Sequence, residues 1–374
     1  MSHKLHFFYP ENDSALAADK ARYTAPDAAV RLRRSGATLP LWFGNNGDEF
    51  ISQGVNAAWL DKVKEAFGID IDTFTYDTSE LVPSPWGWSK AARQTFIDLG
   101  FSPDRLPSDT RLNYIRALSH RRNAARAAAR LSELLNFSIA PPAVEIHTPA
   151  QIEAFIAANR YGAVFKQPWS SSGRGIVTVS ATDTPKKFSS ISGMLRRQGS
   201  LTAEPFLKKT ADFAMLFTMT RGKCVFDGYS LFSASTAGAY QGNVLAPQSE
   251  IYQRLCTKCP AEHLDAVRDT LPAVIEELAS DYDGPLGVDM MTVESENFFI
   301  APVVEINFRM TMGHLCRLFY AKHVVDGATG TFSVHPAQGI AGIFAPAMNG
   351  TRMAAGIIDM AQPGSDFSFT VELR

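Results

Sequence analysis

The chain has 374 residues, 45 % of them hydrophobic and 20 % charged, with a formal net charge of −2. That length exceeds one ordinary core and predicts two or three domains or lobes, and the composition is that of a globular protein rather than a disordered or membrane one. A charge near zero gives no global pull toward nucleic acid or anionic lipid, so any phosphate chemistry must come from a local cluster of charge. The N-terminus lacks the apolar core of a signal peptide and no 18-residue apolar run occurs. The expectation is a cytoplasmic protein with no nucleic-acid or membrane partner. Cys224, Cys256, Cys259 and Cys316 are too few and too scattered for a disulfide framework.

In chain order, residues 4–9 read as a strand ending at Pro10, and Asp13 or Ser14 is a good N-cap for a helix through Lys20. Pro26 to Ser35 reads as a helix closed by Gly36, Leu39 to Phe43 as a strand, and Ala57 to Ala66 as a helix. This alternation predicts a parallel α/β domain over about the first 115 residues. Ligands of such sheets sit at the carboxyl ends of strands, which makes Glu11–Ser14 a candidate substrate edge. Residues 82–110, with Trp86, Trp88 and Phe96, read as a connecting region around a helix from Lys90 to Leu99, with an aromatic substrate wall as the alternative.

A long alanine-rich helix is predicted from Arg116 to Leu135, with Arg122, Arg126 and Arg130 aligned on one face. The ordinary reading of that stripe is a solvated face, though Arg121 or Arg122 could point at an anion. Pro149 to Ala158 is a helix capped by Thr148, and another helix lies near Thr184 to Arg197. Leu201 to Leu207 reads as a strand, Lys208–Asp212 as an exposed turn, and 213–220 with 224–232 as a hairpin around Arg221-Gly222-Lys223. Ser233 to Pro247 reads as a loop, Pro260 to Tyr282 as a helix, and the last ~45 residues as mostly irregular with one strand, Phe367 to Leu373.

Two stretches carry chemistry. The first, Val164 to Val179, places two β-branched runs around Lys166-Gln167-Pro168-Trp169-Ser170-Ser171-Ser172-Gly173-Arg174-Gly175. Glycines let backbone N–H groups approach a ligand closely, and serine, lysine and arginine add donors, so the loop suits phosphate oxygens. It lies between strands, which excludes a P-loop or a dinucleotide fingerprint, since both need a helix after the glycines.

The second is Gly287-Val288-Asp289 followed by Glu305-Ile306-Asn307-Phe308-Arg309. Glu305 and Asn307 share a strand face, and a hairpin turning near Glu296–Asn297 sets Asp289 opposite Glu305, unless a bulge at Pro302 shifts the register. Two carboxylates and an amide oxygen then converge as an all-oxygen set of the kind magnesium prefers. Cys256-x-x-Cys259-x-x-x-His263 has the ligand types of a partial zinc site or a redox pair, but lacks a partner motif, so packing cysteines at a helix start are the default.

The order Lys166-x-Pro168, Ser171-Ser172-Gly173-x-Gly175, Glu204-x-x-Leu207 before Asp212, Gly287-Val288-Asp289 and Glu305-Ile306-Asn307-x-Arg309 resembles the ATP-grasp superfamily over roughly residues 116–320. The resemblance implies an α/β N-terminal domain followed by a two-lobed α+β ATP-grasp fold. The corresponding domains are 1–115 before the grasp, 116–206 as its N-lobe, 207–325 as its C-lobe, and 326–374 as an extension packed on the C-lobe. It further implies ATP and Mg2+ as cofactors and a carboxylate–amine ligase acting through an acylphosphate on small-molecule substrates. A nucleotide-binding regulator and a grasp-type kinase are the alternatives.

By resemblance, Lys166 contacts ATP phosphates, Ser171, Ser172, Gly173, Arg174 and Gly175 cover them, and Arg122 (or Arg121) replaces a family lysine. Glu204 and Leu207 meet adenine at the hinge and Asp212 holds the ribose. Asp289, Glu305 and Asn307 hold magnesium, and Arg309 neutralises the transferring phosphoryl group. Phe308 stands where the family usually has proline. Neither substrate nor oligomeric state can be read from the residues, a homodimer being the commonest arrangement among oligomers in general.

Overall fold

A computed structural model describes residues 2–159, 161–170, 175–180, 185–235, 238–337 and 342–374. In chain order its strands are β1 (His3–Phe7), β2 (Glu49–Phe50), β3 (Asp72–Thr73), β4 (Leu81–Pro85), β5 (Val144–Ile146), β6 (Ala163–Lys166), β7 (Ile176–Val179), β8 (Leu201–Pro205) and β9 (Lys209–Thr220). There follow β10 (Lys223–Ala234), β11 (Tyr240–Leu245), β12 (Gly284–Val293), β13 (Ile300–Asn307), β14 (Gly330–Pro336), β15 (Phe344–Asn349), β16 (Arg352–Asp359) and β17 (Phe367–Leu373). The chain divides into two compact units, one of residues 1–114, 241–251 and 309–374, the other of 115–240 and 252–308.

The first unit contains a parallel sheet in the order β3-β2-β1-β4. Leu5, Phe7, Phe8, Trp86, Phe96 and Phe101 are buried around it. Trp86 packs edge-on against Phe8, so residues 82–110 supply a strand and core aromatics instead of a connector. Leu39 to Phe43, expected as a strand, is a 3-10 helix, Gly36–Trp42, with Pro40 inside. Proline has no N–H for a ladder, and Thr38 and Trp42 instead donate to the Met360 carbonyl at 2.8 and 3.2 Å. The first helix is Asn12–Ala18, and Glu11 at its cap position makes no capping bond because its carboxylate is held by Arg33.

Strand pairing sets the boundaries elsewhere than expected. Residues 326–374 form antiparallel strands in the order β14-β17-β16-β15, with β11 beside β14. The Phe367 N–H donates to Ser35, and Phe8 packs on Phe369. This extension therefore belongs with the N-terminal residues, where the expected partner was the C-lobe. Alanine, glycine and proline in β14–β16 carry little strand propensity, and their ladder partners supply what composition did not show. For the same reason Tyr240–Leu245, expected within a loop, pairs as β11.

His323 is buried in this unit beside Trp42, Phe67 and Phe319. Burial, reinforced by the charges of Lys322 and Arg352, pulls its pKa down to about 4. The unfolded chain takes up this proton near pH 6.5 while the folded ring stays neutral. The ring's contribution is thus complete above pH 6.5 and is lost as the pH falls toward 4. Thermal melts across that window should show Tm dropping less steeply in His323→Leu than in the parent. Identical slopes would refute the assignment.

The second unit holds two sheets. One runs β5-β8-β6-β7, all antiparallel, over a core that includes Ile152, Phe165, Ile191, Leu201 and Ala203. The other carries β13-β12-β9-β10, also antiparallel. Its β9–β10 turn places Arg221 and Gly222 at positive φ (51° and 73°), the conformation of a tight two-residue hairpin loop. The predicted long helix is two, Asp109–Leu118 and Arg122–Leu134. No proline or glycine marks the break. Asn123 caps the first helix by donating to the Ala117 and Leu118 carbonyls, both at 2.8 Å.

Candidate active site

Lys166 is the last residue of β6. Pairing with β8 sets Val164 opposite Glu204, and two residues further Lys166 lies on that same face. Its ammonium ion-pairs with the Glu204 carboxylate, the side chains being only 7 % and 15 % exposed. The Gln167 N–H donates to the Gly175 carbonyl at 2.9 Å and closes the base of the serine-glycine loop. Gly175 has φ +72°, and a Cβ there would stand 2.3 Å from Gln167 Oε1. The conformation therefore favours glycine, and a larger residue would also push the Gln167 side chain aside. Ser171, Ser172, Gly173 and Arg174 lie outside the described residues.

On the other sheet the register is Asp289 opposite Glu305 and Gly287 opposite Asn307, so the three polar side chains share one face. A bulge does occur, between Asp289 and Met291 on one strand and Glu305 and Ala301 on the other. It falls beyond the Asp289–Glu305 pair, at the segment holding Pro302, and leaves that pair in register. Asn307 Nδ2 donates to Asp289 Oδ2 at 3.0 Å. Asp212 lies on β9, opposite Met291 of β12 and Phe232 of β10, and strand alternation puts it on the Asp289 face. It accepts from Lys209 Nζ at 2.5 Å. The turn expected over Lys208–Asp212 is thus largely strand, because β12 pairs along it as far as Lys209. Leu207 is half-buried in the short link between β8 and β9.

Arg121 joins these groups. Its Nε donates to the Gln167 carbonyl at 3.0 Å, its Nη2 reaches Ser170 Oγ at 3.3 Å, and Nη2 also lies 2.9 Å from Glu305 Oε1. The guanidinium is buried and links the base of the serine-glycine loop to the carboxylate hairpin. Arg122, the expected phosphate contact, is 46 % exposed with Nη1 4.0 Å from Glu145. Arg126 is exposed and Arg130 pairs with Glu133 and Glu277, so the stripe is a solvated, ion-paired face. Only the helix break distinguishes Arg121 from its neighbour, and nothing in the local pattern announces that break.

Arg309 belongs to the first unit. It meets Asp13 side-on, with Nη2 2.7 Å from Oδ2 and Nε 3.1 Å from Oδ1, and the Met310 N–H donates to the Trp86 carbonyl at 2.8 Å. Gly87 allows this seating: a Cβ there would stand 2.6 Å from Asn12 Nδ2 and 2.9 Å from Arg309 Cβ. The structure therefore brings Arg309 to the predicted substrate edge. Glu11 is buried in the same edge, and desolvation raises its pKa against the opposing pull of Arg33.

The donor set on β12 and β13 fits a divalent cation by its chemistry. Among the described residues no three His, Cys, Asp or Glu side chains converge. Magnesium, however, is commonly held by one or two carboxylates with the remaining positions left to phosphate and water. Asp289, Glu305 and the Asn307 amide oxygen supply that, and the Arg121 guanidinium on Glu305 shows that the site accepts positive charge. Cys256 and Cys259 are free thiols, with burial pushing Cys259 up to about 12, and His263 stacks on Phe137 at 3.7 Å.

No protein-family model matches the chain, and no curated protein matches it in sequence. Solved structures do. Biotin carboxylase of Campylobacter jejuni, in its β,γ-ATP complex, matches 99 % of this chain and 86 % of its own at 11 % identity and a TM-score of 0.54. The N5-carboxyaminoimidazole synthetase of Staphylococcus aureus, complexed with ADP, covers 88 % of this chain and 94 % of its own at 10 % identity, TM-score 0.47. The N5-carboxyaminoimidazole ribonucleotide synthetase of Thermus thermophilus covers 87 % and 92 % at 16 % identity, TM-score 0.46. The likeness to the biotin carboxylase shows the fold. The chain has an α/β N-terminal domain and a two-lobed ATP-grasp fold, as the motif order implies.

Proposed function

We propose that this ATP-grasp chain is an ATP- and magnesium-dependent ligase that joins a carboxylate to an amine or thiol, releasing ADP and phosphate. The observation that carries the reading is the Arg121 bridge. One buried cation ties the loop that follows Lys166 to the Asp289–Glu305–Asn307 hairpin, so the phosphate-seeking and cation-seeking groups form one site. The biotin carboxylase of the same fold is an ATP-complexed enzyme, which supports the nucleotide assignment.

On this reading the chain's own residues divide the work. Lys166, with Glu204 holding its ammonium in place, binds the phosphates, and Gly175 supplies the turn at the base of the loop. Glu204 and Leu207 flank the adenine through backbone groups, and Asp212 accepts from the ribose hydroxyls. Asp289, Glu305 and Asn307 would hold magnesium, which supplies charge neutralisation on the phosphates. A carboxylate oxygen of the substrate attacks the γ-phosphorus and the bond to ADP breaks. The amine or thiol then attacks the acyl carbon, loses its proton, and expels inorganic phosphate. Such transfers need positioning and positive charge more than a protein nucleophile, which Lys166 and Arg121 provide.

The test is a phosphate-release screen with ATP and magnesium over amino acids, dipeptides and small carboxylates, with product identified by mass. The expected result is ADP and phosphate in equal amounts with a new amide or thioester. A stable phosphorylated product would make the chain a kinase instead. Nucleotide binding without ADP formation across the screen would make it a regulator.

A further inference from the structure

The first unit contains a cavity of about 870 Å3 to which the phosphate and metal groups contribute nothing. It opens at the carboxyl ends of the parallel strands, between residues that follow β1 (Phe8, Tyr9), β2 (Ile51, Ser52) and β3 (Phe74, Tyr76). Open parallel sheets bind ligands at this edge, where strand ends diverge and leave polar groups unpaired.

The charge on its wall is lopsided. Arg22, Arg33 and Arg34 line it against one acid, Asp98, which accepts from Gln94 at 2.8 Å. Arg33 is committed to Glu11 and lies 5.8 Å from the Tyr9 ring centre. Arg22 and Arg34 make no side-chain hydrogen bond or ion pair among the described residues. Two forked cations without partners at one cavity match a carboxylate or phosphate, each able to accept two parallel N–H bonds.

Tyr76 is the second observation. Its φ is +67°, a conformation that costs a bulky L-residue about 1–3 kcal/mol and persists where the surroundings or a function demand it. The residue is 76 % exposed, its ring backed by Phe74 with centroids 4.9 Å apart. Strained backbone thus presents an aromatic face to solvent at the wall of a cationic cavity.

We infer that this cavity binds a small molecule carrying an oxyanion group, held by Arg22 and Arg34, and a planar portion laid against Tyr76. The occupant is a small planar carboxylate other than the nucleotide of the ligase reading above. The experiment is calorimetry on the full chain without nucleotide, using benzene-1,3-dicarboxylate and, separately, inorganic phosphate, with MgADP binding measured in parallel.

The dicarboxylate is expected to bind. Its affinity should fall at least about tenfold in Arg22→Gln/Arg34→Gln, as expected when charge-assisted pairs are lost, with MgADP affinity unchanged. Tyr76→Ala should weaken the dicarboxylate and leave phosphate as it was. No dicarboxylate binding, or equal affinity in the double variant, overturns the site. Phosphate binding tighter than the dicarboxylate overturns the carboxylate assignment in favour of a phosphate ester. Dicarboxylate binding in a chain that never binds MgADP sinks the ligase reading and leaves the anion site standing.

Discussion

Lys166→Ala is expected to lower ATP-dependent phosphate release by at least about 10²-fold, the scale seen when one preorganised donor to developing charge is removed. The lysine ends β6 with its ammonium buried on the Glu204 carboxylate, so the site keeps a positive charge at a set position without reorganisation. Truncation also strands Glu204, whose side chain is 15 % exposed. Leaving a charged acceptor unpaired in such a place costs about 1–3 kcal/mol, so Tm should fall in the same variant. Lys166→Met paired with Glu204→Gln separates the effects, restoring much of the Tm but not the activity. Full turnover in either variant would remove Lys166 from the mechanism.

Asp289→Asn is expected to leave the fold intact and still lower phosphate release by about 10²-fold, equivalent to some 3 kcal/mol of lost charge stabilisation. The two side chains have the same shape, and the Asn307 amide, 3.0 Å from Asp289 Oδ2, keeps an oxygen to donate to. Only the charge goes. The magnesium needed for half-maximal turnover should therefore rise steeply, while the unfolding free energy stays within about 1 kcal/mol of the parent's, as isosteric changes at partly exposed sites usually do. Unchanged magnesium dependence would mean the hairpin holds no metal. A large fall in Tm would instead make the Asp289–Asn307 contact structural.

Both sites show how far local pattern reaches. The place of Lys166 at a strand end and the Asp289–Glu305 pairing were legible because strand alternation has a period of two and a hairpin turn fixes which residues face each other. The possible register shift at Pro302 could not be resolved from pattern, because a bulge depends on where the partner strand leaves an unpaired carbonyl. Arg121 and Arg122 were equivalent for a related reason. Adjacent residues on one continuous helix would point about 100° apart, but the chain breaks the helix between Leu118 and Arg122, and only long-range bonds to Gln167, Ser170 and Glu305 turn Arg121 inward.

The same contrast holds for the chain as a whole. Residue order alone determined the motif series, the serine-glycine segment between two strands and the carboxylate hairpin, since these rest on contacts within a few residues or across one turn. Tertiary structure alone decided that residues 309–374 join the N-terminal unit, that Arg309 seats on Asp13, and that Arg22 and Arg34 line one cavity. Each of these joins residues far apart in the chain, through ladder bonds and ion pairs whose partners no local periodicity specifies.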